Sequence, residues 1–362
     1  MRFMSRIAFG GLALFALSGP LAAADAPQFE VDPFWPKLLP ANWIIGSIAG
    51  IYVDTQDHVW INHRPRSLTE REIAASDDPR VECCAAAPEI IEFDQEGNVV
   101  QAWRGPGEGH DWSGNEHGIF VDYNDYVWVG GNGAEDGIVL KFTRGGEFVM
   151  QIGHQGPGLD SQDTSRVAGA SSMYVDPQTN ELYVADGYRN HRVIVFDAVT
   201  GDFKRMWGAY GNPPEDEEMP EFDPFATPPN QFSNPVHCIN MTRDGEVFVC
   251  DRAHNRLQVF EKDGSFLRQI FVAPQSAPGT TGSVVFWPDA EQSLLFSSDD
   301  ANGKIHIIRR SDGIEIGSFG HVGNMTGEFN NLHLIAIDSQ GNIYAAETQG
   351  KRVQKFVNMS GL

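Results

Sequence analysis

The chain repeats one unit of short β-strands six times, and this repetition constrains its fold more than any other feature. Each copy has a first strand, a polar turn, a second strand, then a turn rich in Asn and Arg and a third strand. The clearest copies cover residues 172–207, 238–270 and 334–356, and looser copies begin near residues 50 and 118 and again near 283. Alternating apolar residues mark the strands, and DG, GG and QG pairs mark the turns.

Six copies of a roughly four-stranded unit predict an all-β fold, a six-bladed β-propeller that occupies residues 25–362 as one domain. The last copy ends after three strands, near residues 356–357. We therefore expect the N-terminal segment 29–35 to supply the missing outer strand and to close the ring, which removes exposed strand edges. An open pair of β-sandwiches is the alternative architecture.

Residues 1–24 have the composition of a secretory signal peptide. Arg2 and Arg6 form a basic region, residues 7–17 an apolar core, and residues 21–24 a cleavage site of small side chains. That order is typical of a signal that is removed, here after Ala24. An uncleaved anchor is the alternative, but the apolar run is short for a bilayer. We expect a periplasmic or secreted protein with no membrane association after cleavage.

The charge balance excludes two classes of partner. The chain has 26 basic and 49 acidic residues, a formal net charge of −23. A surface this acidic repels nucleic acid and anionic lipid. We expect a monomer whose partner is a small molecule or a peptide.

Four cysteines in an exported chain are compatible with disulfides. Pairing the strands on either side of the turn at residues 242–245 places Cys238 roughly opposite Cys250, so a cross-strand bridge can form there. Cys83 and Cys84 are adjacent, so they either close a strained ring or find other partners. The sequence leaves the connectivity open.

Three histidines occupy the same place in repeats 2, 4 and 6. His117, His237 and His333 each precede by four residues the hydrophobic residue that ends the first strand. First strands line the channel of a propeller, so equivalent positions in alternate blades converge on one axis. Three histidines with an open position are the pattern of a catalytic zinc site. A hydrogen-bonding role near a strand start is the alternative for any one of them.

Three further residues leave the second strand on the same face as the histidines: Arg64, Tyr188 and Arg252. A pair of arginines can clamp a carboxylate through bidentate hydrogen bonds. A tyrosine between cations and a metal can have a phenol acidic enough to act as a base. The structural alternative is that Arg252 pairs with Asp251 and Arg192 with Asp186 inside the repeat turn, and that Tyr188 packs.

The turns at residues 190–193 and 255–257 each follow an Asp and lead into a strand, and they resemble the NHL repeat. This resemblance covers most of the chain after the signal and implies the propeller fold. It does not imply an activity, because propellers include both enzymes and binding modules.

The site residues resemble those of the catalytic domain of peptidyl-α-hydroxyglycine α-amidating lyase, a zinc-dependent six-bladed propeller. The segments EHGIFVDYNDYVWVGG, NPVHCINMTRDGEVFVCDR and NLHLIAID match its zinc histidines, and DGYRNHR matches the motif of its proposed catalytic tyrosine. The resemblance spans repeats 1–4 and 6. It implies zinc at the three histidines, Tyr188 as the catalytic tyrosine, and Arg64 and Arg252 as the matching arginines.

Two features of the sequence depart from that family. Leu334 stands where the family has an Asp that helps to hold a structural calcium, so Zn²⁺ is the implied cofactor and Ca²⁺ is left open. Cys238 and Cys250 do not fall at the disulfide positions of the family.

These observations predict an exported zinc-dependent carbon–nitrogen lyase. Its substrate would be an α-hydroxyglycine-like carbinolamide with a carboxylate, and its products an amide and glyoxylate. One alternative is a non-catalytic NHL propeller that binds a protein or a glycan, in which the histidines are dispensable. Another is a metal-dependent hydrolase or lyase with a different substrate.

Overall fold

The computed structural model describes residues 26–78, 80–217, 219 and 222–361. The predicted signal segment 1–24 lies outside the described residues. Nearly all regular structure in the described part is β-strand, with one short helix, α1 (Ala74–Asp77), and four 3-10 turns. Within those ranges, no helix has the length and apolar character needed to cross a bilayer.

The strands form six four-stranded antiparallel sheets, which are the blades of a propeller. The strands in chain order are β1 (Phe29–Asp32), β2 (Trp43–Ile44), β3 (Ser47–Val53), β4 (Val59–Arg64), β5 (Ala85–Ala86), β6 (Ile90–Phe93), β7 (Val99–Trp103), β8 (Glu116–Val121), β9 (Val127–Gly131), β10 (Ile138–Phe142), β11 (Phe148–Gly153), β12 (Ala170–Asp176), β13 (Glu181–Asp186), β14 (Arg192–Asp197), β15 (Phe203–Trp207), β16 (Val236–Met241), β17 (Val247–Asp251), β18 (Arg256–Phe260), β19 (Phe266–Phe271), β20 (Val284–Phe286), β21 (Leu294–Asp299), β22 (Lys304–Arg309), β23 (Glu315–Phe319), β24 (Leu332–Ile337), β25 (Ile343–Glu347) and β26 (Arg352–Asn358).

The innermost strands of blades 1 to 6 are, in that order, β3, β8, β12, β16, β20 and β24, and each contacts the next, with β24 returning to β3. Strands β2 and β5 form a separate two-stranded parallel sheet around the insertion between β4 and β6. The predicted six-bladed architecture is confirmed, and the open-sandwich alternative is wrong because the sheets close into a ring.

The ring closes through the N-terminal strand, as predicted. Strand β1 pairs antiparallel with β26, with Phe29 opposite Asn358 and Val31 opposite Phe356. Blade 6 therefore consists of β24, β25 and β26 from the end of the chain and β1 from its beginning.

Apolar clusters fill the space between adjacent blades. Between blades 2 and 3, for example, Phe120 and Trp128 pack in one buried cluster with Leu182 and Ile194. Burying a large apolar side chain of this kind contributes about 1.5–3 kcal/mol. The strands supply these side chains because alternate residues of a strand point to opposite faces of its sheet.

Three blades carry an ion pair with a fully buried carboxylate between the end of the second strand and the start of the third. These pairs are Asp186–Arg192, Asp251–Arg256 and Glu347–Arg352. The structural alternative for Arg252 is thus wrong, because Arg256 takes the carboxylate of Asp251 at 2.7 Å. Removing one member of such a pair leaves an unpaired buried charge, which costs about 3–5 kcal/mol.

In blade 5 Lys304 stands at the position of these arginines, and Asp299 pairs instead with His306, two residues further along β22. His306 Nε2 lies 2.8 Å from Asp299 and its Nδ1 lies 3.1 Å from Glu315. Burial lowers the pKa of His306, but the two carboxylates raise it more, so this pKa lies above its ordinary value. A raised folded-state pKa adds stability that is fully present below the unfolded-state pKa and is lost as the pH rises through the folded-state pKa.

We therefore expect His306→Gln to destabilise the protein most at low pH. At pH 5 it should lower the free energy of unfolding by about 3 kcal/mol, because Asp299 loses its buried partner. By pH 9 the deficit should shrink, since neutral His306 also leaves Asp299 uncompensated. Thermal unfolding between pH 5 and 9 measures this, with the exposed His321→Gln as the control. A deficit that is constant over this range contradicts the expectation.

The structure pairs the four cysteines, whose connectivity the sequence left open, into two disulfides. Cys238 is the register partner of Cys250 on neighbouring strands, and the two are bonded. Cys83 is bonded to Cys84 in the insertion that precedes β5.

Candidate metal centre

A β-bulge positions each of the three predicted histidines. His117, His237 and His333 are each the second residue of an innermost strand, β8, β16 and β24. The register with the second strand of the blade shifts at that residue in all three blades. A bulge places an extra residue outside the ladder and redirects its side chain. Here it turns the imidazoles toward the channel axis.

The three imidazoles converge as predicted. One ring nitrogen from each histidine lies within 4.8 Å of the others, and all three residues are buried. The Nε2 atoms of His237 and His333 are 3.2 Å apart. Two ligands on a tetrahedral zinc with Zn–N bonds of about 2.0–2.1 Å would be about 3.3 Å apart. This spacing fits a shared metal ion.

Backbone carbonyls fix the tautomers of two histidines. The Nδ1 atom of His117 donates to the carbonyl of Ser171 over 2.8 Å, and that of His237 donates to the carbonyl of Gly282 over 2.6 Å. Because a carbonyl only accepts, each Nδ1 carries the proton and each Nε2 presents a lone pair. Metal-binding histidines are oriented by second hydrogen bonds of this kind. The Nδ1 atom of His333 has no hydrogen-bond partner among the described residues.

Burial keeps the three imidazoles neutral. It is the largest cause that lowers the pKa of His237 to about 3, and the charge of Arg252 acts in the same direction. The pKa values of His117 and His333 are also well below the ordinary value, through burial first and then through neighbouring histidines and arginines. A neutral imidazole is the form that binds a metal ion.

The Tyr188 hydroxyl lies against the same nitrogens. Its oxygen is 2.8 Å from His117 Nε2 and 3.1 Å from His237 Nε2. Burial raises the pKa of Tyr188, while the charges of Arg252 and Arg64 lower it. The arginines thus act in the direction that the sequence predicts, but burial outweighs them and the pKa stays above its ordinary value.

The two predicted arginines flank the histidines, one on each side. Arg64 ends β4, and its Nε atom donates to the carbonyl of Glu116 over 2.8 Å. Arg252 directly follows β17, and its Nη2 atom donates to Asp300 over 2.9 Å. Both positive charges lower the pKa of all three histidines. All six predicted residues therefore lie at one end of the channel.

Three polar residues at this end were not predicted from the sequence. Asn132 accepts from Arg64 Nη2 over 3.4 Å, Asp300 pairs with Arg252, and the side-chain amide of Asn331 donates to Asp300. Asn132 and Asp300 directly follow the second strands of blades 2 and 5, so extending the position of Arg252 to every repeat would have found them.

The structure supports a calcium ion near Leu334, and a metal ion at a second cluster of acidic residues, less well than it supports a metal ion at the three histidines. Leu334 packs in the apolar cluster between blades 6 and 1 and offers no oxygen ligand, so the residue that departs from the family gives calcium no support. Asp54, His58 and Glu92 also come together as candidate ligands. There, the Arg144 guanidinium already pairs with Asp54 at 2.7 Å and with Glu92.

Comparison with known sequences supports the repeat assignment. Residues 168–196 match the NHL repeat model. The chain is 24% identical over 343 residues to NHL repeat-containing protein 3 of Mus musculus, covering 92% of this chain and 85% of the relative. It is 24% identical over 348 residues to peptidyl-glycine alpha-amidating monooxygenase B of Xenopus laevis, covering 91% of this chain and 35% of that protein. The chain thus spans about a third of the amidating enzyme.

Solved structures support the fold. A streptogramin B lyase superposes with a TM-score of 0.51 at 12% identity, covering 91% of this chain and 98% of that one. A Bacteroides thetaiotaomicron protein of unknown function superposes with a TM-score of 0.56 at 14% identity, covering 92% and 72%. The chain is a six-bladed β-propeller that contains an NHL repeat and is similar in sequence to peptidylglycine α-amidating monooxygenases.

Proposed function

We propose that the protein is an exported zinc-dependent carbon–nitrogen lyase. Its substrate is an α-hydroxyglycine-like carbinolamide, in which one carbon carries an amide nitrogen, a hydroxyl and a carboxylate. Cleavage of the bond between that carbon and the nitrogen gives an amide and glyoxylate. The sequence similarity to amidating monooxygenases supports this class of reaction.

The observation that carries the proposal is the convergence of buried imidazole lone pairs. The hydrogen bonds to Ser171 and Gly282 leave the Nε2 lone pairs of His117 and His237 directed at one point. Without a metal ion the cluster leaves a buried nitrogen unpaired. The Tyr188 hydroxyl and a proton on His333 Nε2 can satisfy the lone pairs of His117 and His237, but the Nδ1 atom of His333 then has no partner among the described residues.

The donor set fits zinc. Three neutral nitrogen ligands with an open fourth position are the arrangement of catalytic zinc sites, and imidazole suits this ion. His117, His237 and His333 would hold it. A bound zinc ion supplies a Lewis acid that polarises a substrate oxygen and makes a hydroxyl more acidic.

Tyr188 is placed to move the proton of the reaction. Burial raises the pKa of Tyr188, so the phenolate requires a dipositive ion at the histidines, whose charge would lower that pKa. As a phenolate, Tyr188 would take the proton of the substrate hydroxyl, whose oxygen then forms the carbonyl of glyoxylate. The electron pair of the breaking carbon–nitrogen bond goes to the nitrogen. That nitrogen takes the proton back from Tyr188, so the residue ends as it began.

The two arginines would hold the substrate carboxylate. Arg64 and Arg252 are the two positive charges that lower the pKa of the Tyr188 phenol. Guanidinium groups bind carboxylates through paired hydrogen bonds, which fix orientation as well as position. The carboxylate stays attached to the carbon that becomes the aldehyde, so holding it holds the reacting centre.

We expect Arg252→Lys to affect substrate binding more than turnover. Lysine keeps the charge but cannot form the planar fork, so KM should rise about tenfold while kcat changes little. Steady-state kinetics of glyoxylate release measure both constants, and the exposed Arg309→Lys serves as the control. Loss of kcat at unchanged KM would contradict a role in carboxylate binding.

Two measurements test the proposed function together. We expect about one equivalent of zinc per chain by elemental analysis, and release of glyoxylate from an N-acyl-α-hydroxyglycine. Protein without zinc and without this activity would favour the non-catalytic binding propeller. Zinc without glyoxylate would favour a metal-dependent hydrolase or lyase with another substrate.

We also propose that the protein acts outside the cytoplasm. The order of basic, apolar and small residues in the segment 1–24 supports this. N-terminal sequencing of the exported form should give a start near Asp25, and a start at Met1 would contradict it.

A further inference from the structure

An ion pair between neighbouring blades lies beside the histidines. Arg252 follows β17 in blade 4, Asp300 follows β21 in blade 5, and Arg252 Nη2 donates to Asp300 Oδ2 over 2.9 Å. Their side chains are 24% and 20% exposed, so neither is sealed from the mouth of the channel. The Asp300 charge is also among those that raise the pKa of Tyr188, which places it near the phenol.

Gly279 forms backbone hydrogen bonds with both Arg252 and Asp300. The Gly279 N–H donates to the carbonyl of Arg252 over 3.2 Å, and the Gly279 carbonyl accepts from the N–H of Asp300 over 3.1 Å. Gly279 has a φ of +125°, a conformation that favours glycine. The spacing of the ion pair is therefore set by the backbone and not only by its side chains.

The carboxylate of Asp300 is held from its other side as well. The side-chain amide of Asn331 donates to Asp300 Oδ1, and the hydroxyl of Thr348 donates to the amide oxygen of Asn331. This orients the amide with its NH₂ group toward Asp300. A carboxylate has about four acceptor positions and a guanidinium has five N–H donors. The pair thus keeps free acceptor and donor capacity for a ligand.

We propose that Arg252 and Asp300 together recognise the carboxylate and the amide N–H of one glycine unit. The guanidinium binds the carboxylate, and Asp300 accepts a hydrogen bond from the N–H on the same carbon. This inference rests on the proposed function and narrows its substrate class to secondary amides. An ester has an oxygen in place of the amide N–H. That oxygen cannot donate a hydrogen bond, so the Asp300 carboxylate would face another acceptor and would remain unpaired.

The test compares two unreactive ligands that differ only at this atom. N-benzoylglycine carries the N–H, and benzoyloxyacetate carries an ester oxygen in its place. We expect isothermal titration calorimetry of the wild-type protein to show N-benzoylglycine binding at least about tenfold more tightly, the effect of a hydrogen bond to a charged group. In Asp300→Ala the ratio should fall to about one.

Two further variants support the comparison. Asp300→Asn keeps the side-chain volume and removes the charge, so it should lower the ratio and serves if the alanine variant does not fold. Asp312→Ala removes an exposed carboxylate of the same blade, one that pairs with Arg309, and should keep the wild-type ratio.

Equal affinities in the wild-type protein, no binding of N-benzoylglycine, or a tenfold ratio that survives in Asp300→Ala would each overturn the assignment. The ratio of the two affinities is measured without catalytic turnover, on the protein as purified. Its failure is therefore distinct from the absence of zinc or of glyoxylate release, which would overturn the proposed function instead.

Discussion

His237→Ala should remove zinc and lyase activity together, the largest effect of any single substitution expected here. His237 is one of three imidazoles whose ring centroids lie 4.8 to 5.0 Å apart, and its Nε2 atom contacts both Tyr188 and His333. Structural zinc sites with four ligands contribute about 10–16 kcal/mol, or about 2.5–4 kcal/mol per ligand. Losing one ligand should therefore weaken zinc binding about 10²–10³-fold. Zinc content after dialysis and glyoxylate release are the two readouts.

The control for this variant is His154→Ala, which removes an exposed imidazole. It should keep one equivalent of zinc and full activity. The circular dichroism of both variants should match that of the wild type, because the blades are held by strand pairing and apolar packing. Full zinc content in His237→Ala would contradict the site.

Tyr188→Phe should separate metal binding from catalysis. The substitution removes one hydroxyl oxygen and leaves the ring, so the three histidines and the zinc content should be unchanged. Without its general base the reaction should slow about 10²–10⁴-fold in kcat. The readouts are zinc content and single-turnover release of glyoxylate.

The matched control is Tyr123→Phe, which removes an exposed hydroxyl that donates to Asn180. Its turnover should equal that of the wild type. A Tyr188→Phe variant that keeps wild-type kcat would show that another group moves the proton. Loss of zinc in the same variant would instead assign the hydroxyl to metal retention.

The repeat pattern predicted the fold because each blade is a local unit. Strands of one blade follow one another in the chain, so the cross-strand position of Cys238 and Cys250 could be worked out from a single turn. The closing strand β1 was predicted for a different reason. A last blade with three strands leaves an open edge, and the segment 29–35 was the remaining strand-like sequence.

The sequence predicted only those site residues that occupy equivalent positions in the repeats. This equivalence identified the three histidines, but it could not show the bulges that turn them inward, because a bulge depends on the register between two strands. The Arg252–Asp300 pair joins two blades, and Asn331 reaches Asp300 from a third. Contacts between blades depend on how the sheets pack, and the spacing within one repeat does not encode them.

The pairing of β1 with β26 links the metal to the two ends of the chain. His333 lies in blade 6, and the outer strand of that blade comes from residues 29–32, some three hundred positions earlier. The third ligand therefore lies in the blade that is completed only when the first and last parts of the chain have met. A metal that binds all three histidines binds the closed ring and not an opened one, so it should stabilise the closed ring. Unpairing of the terminal strand should then appear as faster release of the metal, long before the blades themselves unfold.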